Sequence, residues 1–276
     1  MEPFVLKNNS FLTIETWMEQ FPGLVAGMTT KNGGTSNGSY GTLNLGFHVG
    51  DAFSDVCSNR ENLSGLMEFP LNYWVGAEQT HGTFIKKVSK AERGIGATSY
   101  EQSFKNTDGF YTNEEGILLT LCFADCVPLF FIAPDSRMIG AAHAGWKGTV
   151  GKIAGQMIAA WDKEGIAPEQ IFVAIGPSIC EKCYIVDDRV INLVENTLED
   201  VEGKPYNLIR DGQYSLDLRE VNRQILLKAG VPNKNISITE FCSSCNHEMF
   251  FSHRRDQGRT GRMLSFIGWK ETKVRL

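Results

Sequence analysis

The chain has 276 residues, 42% of them hydrophobic and 21% charged, which is an ordinary globular composition. That length can bury a sizeable core without disulfides, and a net charge of −5 with no Lys/Arg cluster makes no case for nucleic acid. No apolar run approaches bilayer-spanning length, and residues 1–7 lack the pattern of a signal peptide, so the expectation is a cytoplasmic protein with no membrane partner.

The chain carries no internal repeat, low-complexity run or Pro/Ser-rich linker, so residues 1–276 are expected to form a single domain. The early part reads as strand-rich. Residues 31–39, rich in Gly, Asn and Ser, read as a long polar loop, suited to a disordered tip or a substrate lid. Residues 51–67 read as a helix with Val56, Leu63, Leu66 and Met67 on one face and Asn59 and Arg60 elsewhere. Residues 73–76 read as a strand. The runs 116–123 and 129–133 are apolar throughout, as in strands covered on both faces. A turn at 134–137 leads to a third strand over 138–143. From 149 to 163 the apolar spacing turns helical, through Val150, Ile153, Met157, Ile158 and Trp161. A strand at 171–175, helices near 186–198 and 216–228, and strands near 236–240 and 263–266 complete the pattern, with Gly230 and Pro232 stopping the second helix. Hairpins and crossovers are mixed. The predicted class is therefore α+β, a single domain with mixed β-sheets flanked by helices.

Three segments carry the chemistry: residues 79–82 around His81, residues 124–128 around Cys126, and residues 143–149 beginning at His143. Each sets a metal ligand, or a nucleophile or base, where a strand gives way to a turn. Two His and one Cys make the three-ligand set of a catalytic zinc site with its fourth position open. The same Cys126 and His143 could instead form a nucleophile–base pair. Pro128 lacks an N–H, so the ladder is expected to break there and let Cys126 project into a cleft. His143 ends a strand of small residues and leads through Gly145 and Gly148 into a helix, whose N-terminus suits an anion. Lys147 and Thr149 resemble the tail of a phosphate loop, but the full pattern is absent. Of the five His, His48 and His253 are candidates to back the ligands or face the substrate, and His247 reads as an exposed loop residue. Arg60, Arg254, Arg255 and Arg262 supply guanidinium forks suited to phosphate or carboxylate.

The seven cysteines, odd in number, read as reduced thiols. Two Cys-x-x-Cys pairs occur, Cys180/Cys183 and Cys242/Cys245. Their separation far exceeds that of a zinc ribbon, so the expectation is buried free thiols rather than a second metal site.

Together these segments resemble the bacterial YfiH/YlmD-like family, also described as laccase-domain or multicopper polyphenol oxidase-like proteins and as purine nucleoside phosphorylases. The resemblance runs from residues 44–51 through Asn59-Arg60 to 254–256 and 260–262. Its most specific parts are Thr80-His81-Gly82, Asp125-Cys126-Val127-Pro128, His143-Ala144-Gly145-Trp146 and Gly176-Pro177-Ser178-Ile179. Gln257 before Gly258 departs from the family pattern and bears only on that loop's length. The resemblance implies that His81, Cys126 and His143 bind zinc and serve catalysis. It implies a substrate set of Asn44, His48, Arg60, Arg254, Arg255 and Arg262. It also implies phosphorolysis of adenosine, inosine and S-methyl-5′-thioadenosine, with adenosine deamination as a further activity. The expected partners are purine nucleosides and phosphate.

Two other readings stand beside it. A four-copper oxidase needs many imidazoles, largely in His-x-His pairs, and five His with no such pair cannot build that centre. A copper-binding polyphenol oxidase with one copper at the Cys/His set is the remaining form of that reading, since copper outcompetes zinc at many N/S sites. A cysteine hydrolase using Cys126 and His143 needs no metal at all.

Overall fold

The computed structural model describes residues 2–199 and 203–272. In chain order the strands are β1 (Phe4–Asn8), β2 (Phe11–Ile14), β3 (Leu24–Thr29), β4 (Trp74–Val75), β5 (Ile85–Lys87), β6 (Gly109–Thr112), β7 (Ile117–Phe123), β8 (Val127–Ala133), β9 (Met138–Ala144), β10 (Phe172–Ile175), β11 (Ile185–Val186), β12 (Tyr206–Arg210), β13 (Gln213–Leu216), β14 (Ile236–Ile238) and β15 (Met263–Trp269). The α-helices are α1 (Glu15–Gln20), α2 (Phe53–Met67), α3 (Trp146–Val150), α4 (Ile153–Asp162), α5 (Asp188–Thr197) and α6 (Leu218–Lys228). Two six-stranded mixed sheets run β1-β2-β3-β15-β7-β4 and β14-β10-β8-β9-β6-β5, and β11-β13-β12 form a small third sheet. The class is α+β, as the pattern predicts. None of the described helices is long and apolar enough to cross a membrane.

Alternation inside the apolar runs decides the layering. In β8, Val127, Leu129, Phe131 and Ala133 pack with Met157, Trp161 and Ile225 of the helical layer. The intervening Phe130 and Ile132 face the other sheet, against Phe4, Leu12 and Leu119. Fully apolar runs are therefore required, because both faces of this antiparallel strand are covered. On the far side of the first sheet, Leu118, Leu264 and Phe266 are closed over by Leu63 and Met67 of α2 with Phe69 and Trp74. The order of layers is helix, sheet, sheet, helices.

Four expectations need correction. In α2 the buried positions are Val56, Asn59, Arg60, Leu63 and Met67, while Leu66 is exposed. The spacing of three and four puts the polar pair on the inner stripe, where hydrogen bonds offset their desolvation. The helix expected over 149–163 is two helices, starting earlier and broken where Lys152 adopts φ 61°. Pro128 does not interrupt its strand: it pairs with His143, and its carbonyl accepts the Gly176 N–H at 2.8 Å, just past the end of β10. Its missing donor thus falls where no partner strand remains. The polar loop 31–39 is held rather than loose. Asn59 Oδ1 accepts the Thr35 N–H at 2.8 Å, and Ser36 Oγ donates to Asp51 at 2.6 Å.

Candidate functional site

The two central strands and their turns bring the three candidate ligands to one end of the second sheet. The β7–β8 turn carries Cys126, and His143 is the penultimate residue of β9. Val127 pairs with Ala144, so the two side chains start from neighbouring strands. His81 arrives from the turn between β4 and β5. The nitrogen and sulfur ligand atoms of His81, Cys126 and His143 all lie within 4.8 Å of one another. The His81 and His143 rings meet edge to face, with centroids 4.8 Å apart. Gly145 closes the floor: a Cβ there would stand 2.8 Å from His81 Cδ2 and 3.0 Å from Cys126 Sγ.

Asp108, just before β6, lies outside all three sequence segments and organises the set. Its Oδ1 lies 2.8 Å from His143 Nδ1 and accepts the His81 N–H at 3.0 Å. Its Oδ2 accepts the N–H groups of Thr80 at 3.1 Å and Gly82 at 2.8 Å. The bond at Nδ1 leaves His143 Nε2 as the free nitrogen, the arrangement by which a carboxylate orients a metal-binding imidazole. His81 has φ 60° and Asp125 has φ 90°, left-handed values that cost a non-glycine residue energy. Asp108 holds the first turn, and the second is held through the Asp125 side chain. Asp125 Oδ1 accepts from Ser243 Oγ at 2.6 Å, and its Oδ2 accepts the Arg254 N–H at 2.7 Å.

Burial opposes charge on Asp108, but the hydrogen bond and charge of His143 and the Gly82 and Thr80 N–H groups outweigh it, so its carboxyl lies below the usual range. Burial likewise opposes charge on Cys126 and His143, and their mutual attraction overcomes it, with His81 assisting the thiol and Asp108 the imidazole. The Cys126 thiol is thus drawn down and the His143 imidazole up, each by the other. One thiolate and two imidazoles facing each other form a donor set that fits a borderline ion such as zinc.

His81, Cys126 and His143 line a cavity of about 420 Å³. Ile179, Tyr184, Trp146 and Leu218 give it apolar and aromatic walls, and His48, Gln79, His253, Arg254 and Arg262 add polar groups. Burial, then the charges of Arg262 and Arg60, pull His48 down to about 4. Burial pushes Tyr184 up to about 12, so it faces the cavity as a neutral phenol. Arg254 spends Nη1 on the Ile185 carbonyl, and Arg262 spends Nη1 on the carbonyls of Thr260 and Gly261.

The structure does not bring every expected substrate residue to this cavity. Arg60 is buried under the Phe47 ring, and its N–H groups go to the carbonyls of Leu45, Gly96 and Ala97. Arg255 is turned onto Asp256 and the carbonyls of Ser243, Ser244 and Phe250. Asn44 is fully buried and accepts the N–H groups of Gly46 and Arg262, so it positions the Arg262 backbone. The helix after His143 has only five residues. Thr149 is buried, accepting from Asn222 Nδ2 at 3.0 Å, so the resemblance to a phosphate loop ends there. His247 lies outside the cavity beside Glu248, as expected of an exposed loop residue. The polar loop 31–39 contributes nothing to the lining.

The four paired cysteines also differ from expectation. Cys180, Cys183, Cys242 and Cys245 converge, with all four sulfurs within 4.8 Å of one another. Only Cys242 is buried. Sequence spacing concealed this because the fold, not a short ribbon, joins the pairs.

The family model described as multi-copper polyphenol oxidoreductase laccase matches residues 25–270. The purine nucleoside phosphorylase YlmD of Geobacillus stearothermophilus is 53% identical over 252 residues, 91% of this chain and 92% of that protein. The Bacillus subtilis protein of the same name is 46% identical over 273 residues, 98% of each. The crystal structure of Geobacillus stearothermophilus YlmD superposes with a TM-score of 0.95 at 50% identity, covering 98% of this chain and 100% of that one. The crystal structure of the Bacillus licheniformis hypothetical protein YfiH gives 0.94 at 45% identity, with the same coverage. Similarity of sequence and fold over nearly its whole length places this chain in the YfiH/YlmD family, the one described by the laccase-type family model.

Proposed function

We propose that this protein is a zinc-dependent purine nucleoside phosphorylase acting on adenosine, inosine and S-methyl-5′-thioadenosine, with adenosine deamination as a second activity. The observation that carries the reading is one cavity holding the His81, Cys126 and His143 set together with Arg254 and Arg262. The names of the relatives support the phosphorylase part.

Phosphorolysis forms a bond from a phosphate oxygen to C1′ as the C1′–N9 bond breaks. The electron pair leaves with the purine, which must take up a proton. Arg254 and Arg262 each keep guanidinium N–H groups beyond those bonded to backbone, and these suit the phosphate dianion. Tyr184 and Trp146 supply flat faces for the base, and Ile179 and Leu218 exclude water around it. When bound, zinc supplies Lewis-acid polarisation and acidifies water towards neutrality. Asp108 fixes the His143 tautomer and the His81 turn, so both imidazoles are oriented before any ligand arrives.

A second reading has its own observation. Cys126, His143 and Asp108 stand in the order nucleophile, base, orienting carboxylate, as a cysteine hydrolase would need. That reading leaves His81, which faces the same thiolate, without a role. A copper oxidase reading would predict oxygen consumption. The test is to incubate adenosine and inosine with protein, with and without phosphate, and to separate the products. Adenine and hypoxanthine released only with phosphate, and phosphate-independent inosine from adenosine, are the expected results. Oxygen uptake with a phenol and no free base would overturn the proposal.

A further inference from the structure

Away from the cavity's ligand set, Cys180, Cys183, Cys242 and Cys245 form a second cluster. Each pair sits on a tight turn. In the first, the Cys183 N–H donates to the Cys180 carbonyl at 3.0 Å; in the second, the Asn246 N–H donates to the Cys242 carbonyl at 2.9 Å. A β-bridge between Ser178 and Cys242 clamps the turns together, and the Ser243 N–H donates to the Ser178 carbonyl at 3.0 Å. The sulfurs of Cys183 and Cys245 are 3.4 Å apart, and those of Cys180 and Cys245 are 3.9 Å apart. Four sulfurs each about 2.3 Å from a tetrahedral zinc lie about 3.8 Å from one another, which these separations bracket. They exceed the roughly 2 Å of a disulfide. The Cys242 sulfur also accepts the N–H groups of Cys180 at 3.2 Å and Cys245 at 3.4 Å. Backbone donors aimed at a sulfur stabilise it as a thiolate, and a thiolate is the form that binds metal.

We propose that these four cysteines form a closed, structural zinc site, distinct from the open set of His81, Cys126 and His143. Four protein ligands leave no position for substrate, so its work is mechanical. The first turn stands between Ile179 and Tyr184, two walls of the cavity. The second carries Ser243, which holds Asp125 beside Cys126 and whose carbonyl anchors Arg255. One ion at the junction ties both walls to the turn bearing Cys126. The site does not depend on which reaction the cavity performs.

The test is metal analysis of the full chain, purified under reducing conditions, as wild type, Cys126→Ala, Cys183→Ser and Cys245→Ser. Wild type should carry two zinc ions per chain. Cys126→Ala should keep one, and X-ray absorption on that variant should show four sulfur ligands and no nitrogen. Cys245 is exposed, so its serine variant should fold and lose one ion. It should also lose thermal stability and release its metal to chelators more readily. Cys126→Ala protein that carries no metal, that carries iron, or that yields a Cys183–Cys245 disulfide on non-reducing peptide mapping would overturn the site. Metal lost only from the Cys126→Ala variant's cavity leaves this site standing, so the two zinc assignments fail separately.

Discussion

Asp108 Oδ1 lies 2.8 Å from His143 Nδ1, and the same carboxylate accepts the backbone N–H groups of Thr80, His81 and Gly82. One buried side chain thus sets the ring of one metal-ligand candidate and the backbone of another. Asp108→Asn keeps the shape but turns an acceptor into a donor facing donors. It should destabilise the protein by about 3 kcal/mol and sharply weaken metal binding. A carboxyl held below its ordinary value of 3.8 contributes stability that is present above that pH and lost as pH falls through the folded-state pKa. Acid unfolding of the variant should therefore be shallower than that of wild type below pH 3.8, measured by circular dichroism.

Gly145 tests how tightly the floor is built. Its φ of −67° suits any residue, so only space is at issue. A Cβ at 2.8 Å from His81 Cδ2 and 3.0 Å from Cys126 Sγ must push these two side chains away. Gly145→Ala should fold with a loss of about 1–3 kcal/mol and fail to hold metal in the cavity. Retention of metal there, measured by mass spectrometry of the native protein, would show that the floor can yield.

The arginines should separate into two classes. Arg254→Ala and Arg262→Ala should raise the apparent KM for phosphate and leave metal content unchanged. Arg60→Ala removes a buried guanidinium from the carbonyls of Leu45, Gly96 and Ala97, so it should cost roughly 3 kcal/mol or more in stability. Phosphate titrations and urea melts on the three variants check this. An unchanged phosphate KM in both cavity variants would remove the arginines from the anion site.

His48 supplies a pH signature. Burial and the neighbouring guanidinium groups hold it at about 4, against an ordinary 6.5. Between those values the unfolded chain binds a proton that the folded chain refuses, so stability falls as pH drops from 6.5 to 4. His48→Gln should lose less thermal stability than wild type over that interval. A histidine NMR titration of wild type should place the His48 midpoint near 4. A midpoint near 6.5 would mean that the ring does not face these charges.

Much of the site was legible because its residues combine a rare type with a turn: His81, Cys126 and His143 stand where apolar runs end. The apolar runs themselves specified β7, β8, β9 and β10 to within a residue or two. What stayed hidden depends on long-range contact. Asp108 looks like any acidic residue before a short strand, and only the fold brings it to His143, 35 positions away. Arg60 and Arg255 resemble phosphate ligands by type, yet backbone carbonyls claim them. The four cysteines meet across about 60 residues of chain, as in the Cys180–Cys245 contact, and no spacing rule reaches that far.

The most direct measurement is inosine cleavage by protein stripped of metal and then reloaded with zinc or copper, with and without phosphate. Zinc-loaded wild type should release hypoxanthine and ribose 1-phosphate in equal amounts, only with phosphate, and the Cys126→Ala protein should release neither. Full cleavage by stripped wild-type protein, or release of free ribose without phosphate, would contradict the account.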